Sequence, residues 1–179
     1  MAAAPACAAD DADKGKVVLG LGAQPGTEFN LYQLKFRTRD GKHNDYITYG
    51  QHGFLVTDRR DFDDAGENGA VKILTMPAGD WEIYTISLLD IYNITFTPKA
   101  EFSIPFTVKA GETIYLGDFK AVGGPKNYTD DYHPTGAYFV VGDRSARDIP
   151  IAQKKDAKIG AVTVAIPDVA AAHTPFFVP

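Results

Sequence analysis

Cysteine is almost missing from this chain of 179 residues: Cys7 stands alone. One thiol excludes an intramolecular disulfide, a zinc knuckle and a CxxC redox pair within a single chain. Serine is nearly as scarce. Ser87, Ser103 and Ser145 are the three present, and none lies in Gly-x-Ser-x-Gly or Ser-x-x-Lys, so nucleophilic serine chemistry is not expected. An excess of positive charge is lacking too: 18 Lys plus Arg face 23 Asp plus Glu, a net charge of −5. That balance supplies no overall field for phosphate backbones, and nucleic acid is not an expected partner. No apolar run reaches the ~18 residues that a membrane-spanning helix needs. His43, His52, His133 and His173 show no His-x-His or His-x-x-x-His spacing, which excludes a local two-ligand metal site. Gly20-Leu-Gly22 and Gly123-Gly124 lead into no long helix, so neither is a phosphate cradle. A blue-copper centre would need a cysteine between the last strands, and none stands there.

What is present favours strands. Aromatics are plentiful (Phe 11, Tyr 9, Trp 1), with 17 Gly and 11 Pro as punctuation. From Lys16 the apolar pattern has period two. Val17, Leu19 and Leu21 form one strand; after a Pro25-Gly26 turn, Tyr32, Leu34 and Phe36 share a face opposite Gln33, Lys35 and Arg37. Two short strands follow at 46–49 and 54–57, then a polar loop over 58–69. Pro77 and Gly79 read as the turn of a hairpin joining 71–74 to the aromatic strand 81–89. Phe102, Ile104, Phe106 and Val108 alternate in a core strand whose Pro105 predicts an edge position or a bulge. A turn at Lys109-Ala-Gly-Glu112 leads to the strand 113–121, with a bulge expected at Gly117-Asp118 because Phe119 is out of phase with Ile114 and Leu116. After a polar loop to Gly136 comes a strand at 138–141. A short helix is expected over 148–157, with Ser145 and Asp148 at capping-box spacing. Val162, Val164 and Ile166 alternate in a last strand, before an apolar tail that should pack onto the body. The expectation is a mainly β protein: an antiparallel β-sandwich of about seven to nine strands with one short helix near the C-terminus. Residues 1–15 read as a disordered leader or signal-peptide remnant and 16–179 as one sandwich domain.

Several constellations could carry chemistry. Asp130-Asp131-Tyr132-His133 mixes acceptor oxygens with an imidazole, and with His52 could form a metal or substrate site assembled from distant loops; the alternative is a solvated loop of turn-forming Asp. Asp61-Phe-Asp63-Asp64-Ala-Gly66 has oxygen donors at the first and third positions and Gly at the sixth of a calcium loop. Ala65 and Lys72 stand where the fifth and twelfth ligands belong, so a hydrated acidic loop is the reading set against an irregular calcium site. No other cofactor is expected. The aromatics Tyr46, Tyr49, Phe54, Trp81, Tyr84, Tyr92 and Phe96 are either core or a platform for carbohydrate or peptide, with Trp81 and Tyr84 at its centre. Asn93-Ile-Thr95 and Asn127-Tyr-Thr129 match glycosylation acceptors, triplets that also arise by chance.

Ala-Ala-Ala-Pro-Ala-Cys7-Ala-Ala has the small residues found at the end of a secretory signal, and Ala6 before Cys7 fits a bacterial lipoprotein site. The segments Met76-Pro-Ala-Gly-Asp-Trp-Glu-Ile-Tyr84 and Phe102-Ser-Ile-Pro-Phe-Thr-Val-Lys-Ala-Gly-Glu-Thr-Ile-Tyr-Leu-Gly117 resemble bacterial envelope proteins and lipoproteins with a transthyretin-like, or carboxypeptidase-regulatory-like, sandwich. The resemblance covers about a quarter of the chain and implies a fold and a compartment, with no catalytic residues to carry over. The expectation it yields is a non-enzymatic exported module, periplasmic or associated with the outer membrane, with Cys7 as the candidate lipid anchor. Its partner would be another envelope protein or a cell-wall component. A metal-dependent enzyme using His52, Asp130, Asp131 and His133, and a carbohydrate-binding sandwich using Trp81, are the competing classes.

Overall fold

The computed structural model describes residues 12–27, 29–51, 59–90, 92–124 and 136–179. Twelve strands and one α-helix follow one another: β1 (Lys14–Ala23), β2 (Phe29–Thr38), β3 (Asn44–Gly50), β4 (Phe62–Asp64), β5 (Glu67–Pro77), β6 (Gly79–Asp90), β7 (Thr95–Phe96), β8 (Ile104–Val108), β9 (Thr113–Gly123), β10 (Ala137–Gly142), α1 (Ser145–Lys155), β11 (Thr163–Val164) and β12 (Phe177–Val178). They form two sheets. The larger runs β12-β10-β9-β1-β5-β4, with β11 also on β9; the smaller runs β3-β2-β6-β7, with β8 also on β6.

Strand alternation is realised as the residues dictate. Tyr32, Leu34 and Phe36 are fully buried, and Ile104, Phe106 and Val108 point into the same core. Val17, Leu19 and Leu21 from the larger sheet and Leu34, Trp81 and Ile83 from the smaller belong to one cluster of buried side chains, so the two sheets face each other across a shared core. Pro105 is exposed on β8, which among the described residues pairs only with β6, as an edge proline must. The apolar tail packs down: Phe177 is buried, stacked on Phe139 at 5.5 Å and edge-on to Phe102 at 5.2 Å.

Four expectations change. The strand count is twelve rather than seven to nine, because β4, β7 and β12, two or three residues each, carry too little pattern to be read. The larger sheet is mixed rather than antiparallel, since β9 lies parallel to β1 and β12 parallel to β10. The turn at 77–79 is not a hairpin, nor is the turn at 109–112. β5 and β9 belong to the larger sheet, β6 and β8 to the smaller, so each turn carries the chain across the core from one sheet to the other. The stretch read as a polar loop at 58–69 contains a hairpin, β4 on β5, whose turn is closed by Asp64 Oδ1 accepting the Gly66 N–H at 3.0 Å. The strand expected at 54–57 lies outside the described residues.

Candidate functional site

Among the described residues, the densest group of buried ionisable side chains lies between α1 and the outer face of the larger sheet. Its origin is the bulge in β9. Val18 pairs with Tyr115 but Gly20 pairs with Asp118, so β9 carries one extra residue there, and Gly117 adopts φ +105°. Tyr115 and Asp118, three apart, thereby share the face beneath α1 while Leu116 and Phe119 remain in the core. On β1 the positions below are glycines because no side chain fits: a Cβ on Gly20 would fall 2.2 Å from Asp118 Oδ1 and 2.7 Å from Asp148 Oδ2, and one on Gly22 2.7 Å from Glu67 Oε1. Three carboxyl groups from β5, β9 and α1 fill that space. Glu67 is 3%, Asp118 4% and Asp148 0% exposed.

Arg147 holds all three. Its Nε donates to Asp148 Oδ1 at 2.7 Å, Nη1 to Glu67 Oε2 at 3.1 Å and Nη2 to Asp118 Oδ1 at 2.9 Å. The guanidinium lies 3.5 Å over the ring of Phe62, which excludes water from its second face. The Tyr115 hydroxyl donates to Asp148 Oδ2 at 2.6 Å. Burial, followed by the charge of Glu67, pushes the Asp118 carboxyl up to about 8 against the pull of Arg147. Asp118 therefore favours its protonated form, and Glu67 Oε1 beside it is buried with no hydrogen-bond partner among the described residues. Burial and the Asp148 carboxylate likewise push the Tyr115 hydroxyl far above its ordinary value. Three carboxyls against one guanidinium would be costly to bury fully ionised; the retained proton lowers that cost. Chemically the arrangement is a clamp that stores a proton and fastens α1 to the sheet.

This site was not legible beforehand. Asp148 was expected to cap the helix. Instead the first turn is served by Asp143, which accepts the Ser145 N–H at 2.8 Å, and Asp148 turns inward. Helix α1 accordingly starts three residues before the expected 148 and ends two before 157.

Only some of the residues singled out from the sequence fall among the described ones. Cys7, His52, Asp130, Asp131 and His133 lie outside the described residues. Asp61 Oδ2 accepts the Val71 N–H at 2.8 Å and an ion pair from Lys155, whereas Asp63 turns to Arg60 at 2.6 Å, so the two carboxylates of the acidic loop weighed as an irregular calcium site are held by separate partners. Among the described residues no three His, Cys, Asp or Glu side chains converge as a metal set. Trp81 is 1% exposed and donates its indole N–H to Pro77 O at 3.0 Å, which makes it core rather than platform. Tyr84 is half-buried on the outer face under the Arg37 guanidinium, 4.6 Å from its ring centre.

No family model, curated protein or solved structure matches this chain.

Proposed function

We propose that the chain is a non-enzymatic module of the bacterial envelope, a transthyretin-like (carboxypeptidase-regulatory-like) β-sandwich that is exported, anchored through a lipid on Cys7, and binds another envelope protein or a cell-wall component through a strand edge. The observation that carries this reading is the contrast between buried and outward-facing polar groups. The buried carboxyls and Arg147 bond one another, while β3 ends the smaller sheet with no strand beyond it among the described residues. Gln51 N donates to Asn30 O at 2.8 Å, which fixes the ladder so that Asn44, Tyr46 and Thr48 direct their backbone groups to the open side. Tyr46 is 61% exposed on that strand. Asp45 Oδ1 accepts the Tyr46 N–H at 2.8 Å, a local block that limits indiscriminate pairing and leaves recognition to the neighbouring groups and the ring. The small-residue stretch with Ala6 before Cys7 supports the compartment.

Photo-crosslinking from position 46 in the native host, with fractionation and mass spectrometry, tests the reading. The expected result is an adduct with an envelope component and a processed, lipid-bearing Cys7 in the envelope fraction. An unprocessed cytosolic chain without adducts would overturn it.

A further inference from the structure

The cations of this acidic chain are not spread evenly. Arg59 and Arg60 precede β4, Lys72 stands on β5, and Lys154 and Lys155 close α1; together with Asp61 they line a cleft of ≈530 Å³ at the edge of the larger sheet where β4 ends. Helical spacing explains the contribution of α1. Residues 147, 151, 154 and 155 fall on one face, so the turn that lays Arg147 on the buried carboxyls and packs Ile151 against the apolar layer also brings both lysines to the cleft.

Part of this charge has structural work. Lys155 donates to Val71 O at 2.8 Å and pairs with Asp61, which together cap the open edge of β5 at Val71. Arg60 is paired with Asp63 at 2.6 Å. The C-terminal carbonyls of α1 favour Lys154 and Lys155, but they do not explain Arg59, Arg60 and Lys72 on the opposite wall. Arg59 and Lys154 are exposed and have no partner among the described residues. A concave wall of five cations, two of them paired with Asp61 and Asp63, still concentrates positive potential in one place in a chain of net charge −5.

We propose that this cleft binds a phosphate-bearing ligand, with the Arg59 guanidinium and the Lys154 ammonium as its principal donors. A guanidinium presents two parallel N–H groups to a phosphate, and an ammonium supplies a mobile point charge beside it. The volume has room for more than one phosphate group. Two sources share this chemistry: a free phosphorylated molecule and the headgroup of an anionic phospholipid.

Calorimetric titration of the full chain with inorganic pyrophosphate, at low and at moderate salt, provides the first arm. Saturable binding that weakens with salt is expected, and Arg59→Gln combined with Lys154→Gln should weaken it by about tenfold or more. A control pair outside the cleft lining, Lys99→Gln with Lys109→Gln, should leave it unchanged. Each single substitution, checked by its melting curve, guards against a double variant that fails to fold, and each should weaken binding on its own. Co-sedimentation with phosphatidylglycerol vesicles against phosphatidylcholine vesicles is the second arm. Binding to the former alone, lost in the same variants, assigns the headgroup; pyrophosphate binding without vesicle binding assigns a free ligand. Neither form of binding, or binding that the Arg59 and Lys154 variants retain, would overturn the proposal.

Discussion

Asp118 shows how one residue acquires a property that its side chain alone does not have. A carboxyl in water ionises near 4, yet here burial and the facing Glu67 carboxylate hold its proton to about 8. The groups around it are Glu67 on β5, Asp148 and Arg147 on α1, Tyr115 on its own strand, and Asp64 on β4 at 4.0 Å from Arg147. The sign of the consequence follows directly. Between the unfolded and folded values the native state binds more protons than the unfolded one, so this group's contribution to stability is fully present at low pH. It is lost as pH rises toward 8. Asp118→Asn keeps an oxygen for Arg147 and removes the titration. The melting temperature of the variant relative to the native chain should therefore climb steadily from pH 4 to pH 8; a difference that does not change with pH would refute the role assigned to this proton.

At the scale of the element, β9 and α1 depend on a single inserted residue. Gly117 sits at φ +105°, where a side chain is strained, and its missing Cβ would lie 3.2 Å from Gly142 O and 3.4 Å from Val141 Cγ1 on β10. Gly117→Ala should cost about 1–3 kcal/mol in urea unfolding, and hydrogen exchange should show α1 loosening together with β9. Loosening confined to β9 would mean that the bulge does not position the clamp. The bulge was legible in the sequence because Ile114 and Leu116 are out of phase with Phe119. Its purpose was not, since Glu67, Asp118 and Arg147 are separated by dozens of residues and obey no short spacing. The same limit explains the turns at 77–79 and 109–112. Proline and glycine announce that the chain reverses, but the choice between pairing with the preceding strand and crossing to the other sheet depends on which neighbour completes the core.

At the scale of the whole molecule, the two sheets bury their inner faces in one another, with Val17, Leu19 and Phe119 on one side and Leu34, Trp81 and Ile83 on the other. Neither inner face would be covered without its partner, so the sheets should unfold as one cooperative unit. Trp81 emission reports the smaller sheet, and the far-ultraviolet signal reports both. The two probes should give one urea midpoint; separate midpoints would show that the sheets are stable independently. The chain's path reinforces this coupling, because β5 passes to β6 and β8 to β9 through short crossings.

Period-two alternation, aromatic content and turn residues by themselves determined that this protein is built of strands, which side chains face inward on β1, β2 and β8, and that Pro105 lies on an edge or at a bulge. These are local properties, decided by side-chain direction over a few residues. Tertiary structure alone decided that β9 runs parallel to β1, that Trp81 is core, that Asp148 faces a buried tyrosine instead of capping its helix, and that cations from three segments meet at one cleft. The physical reason is that strand partners and buried charge pairs are chosen by the fit of surfaces far apart in the chain, and their energies exist only once those surfaces meet.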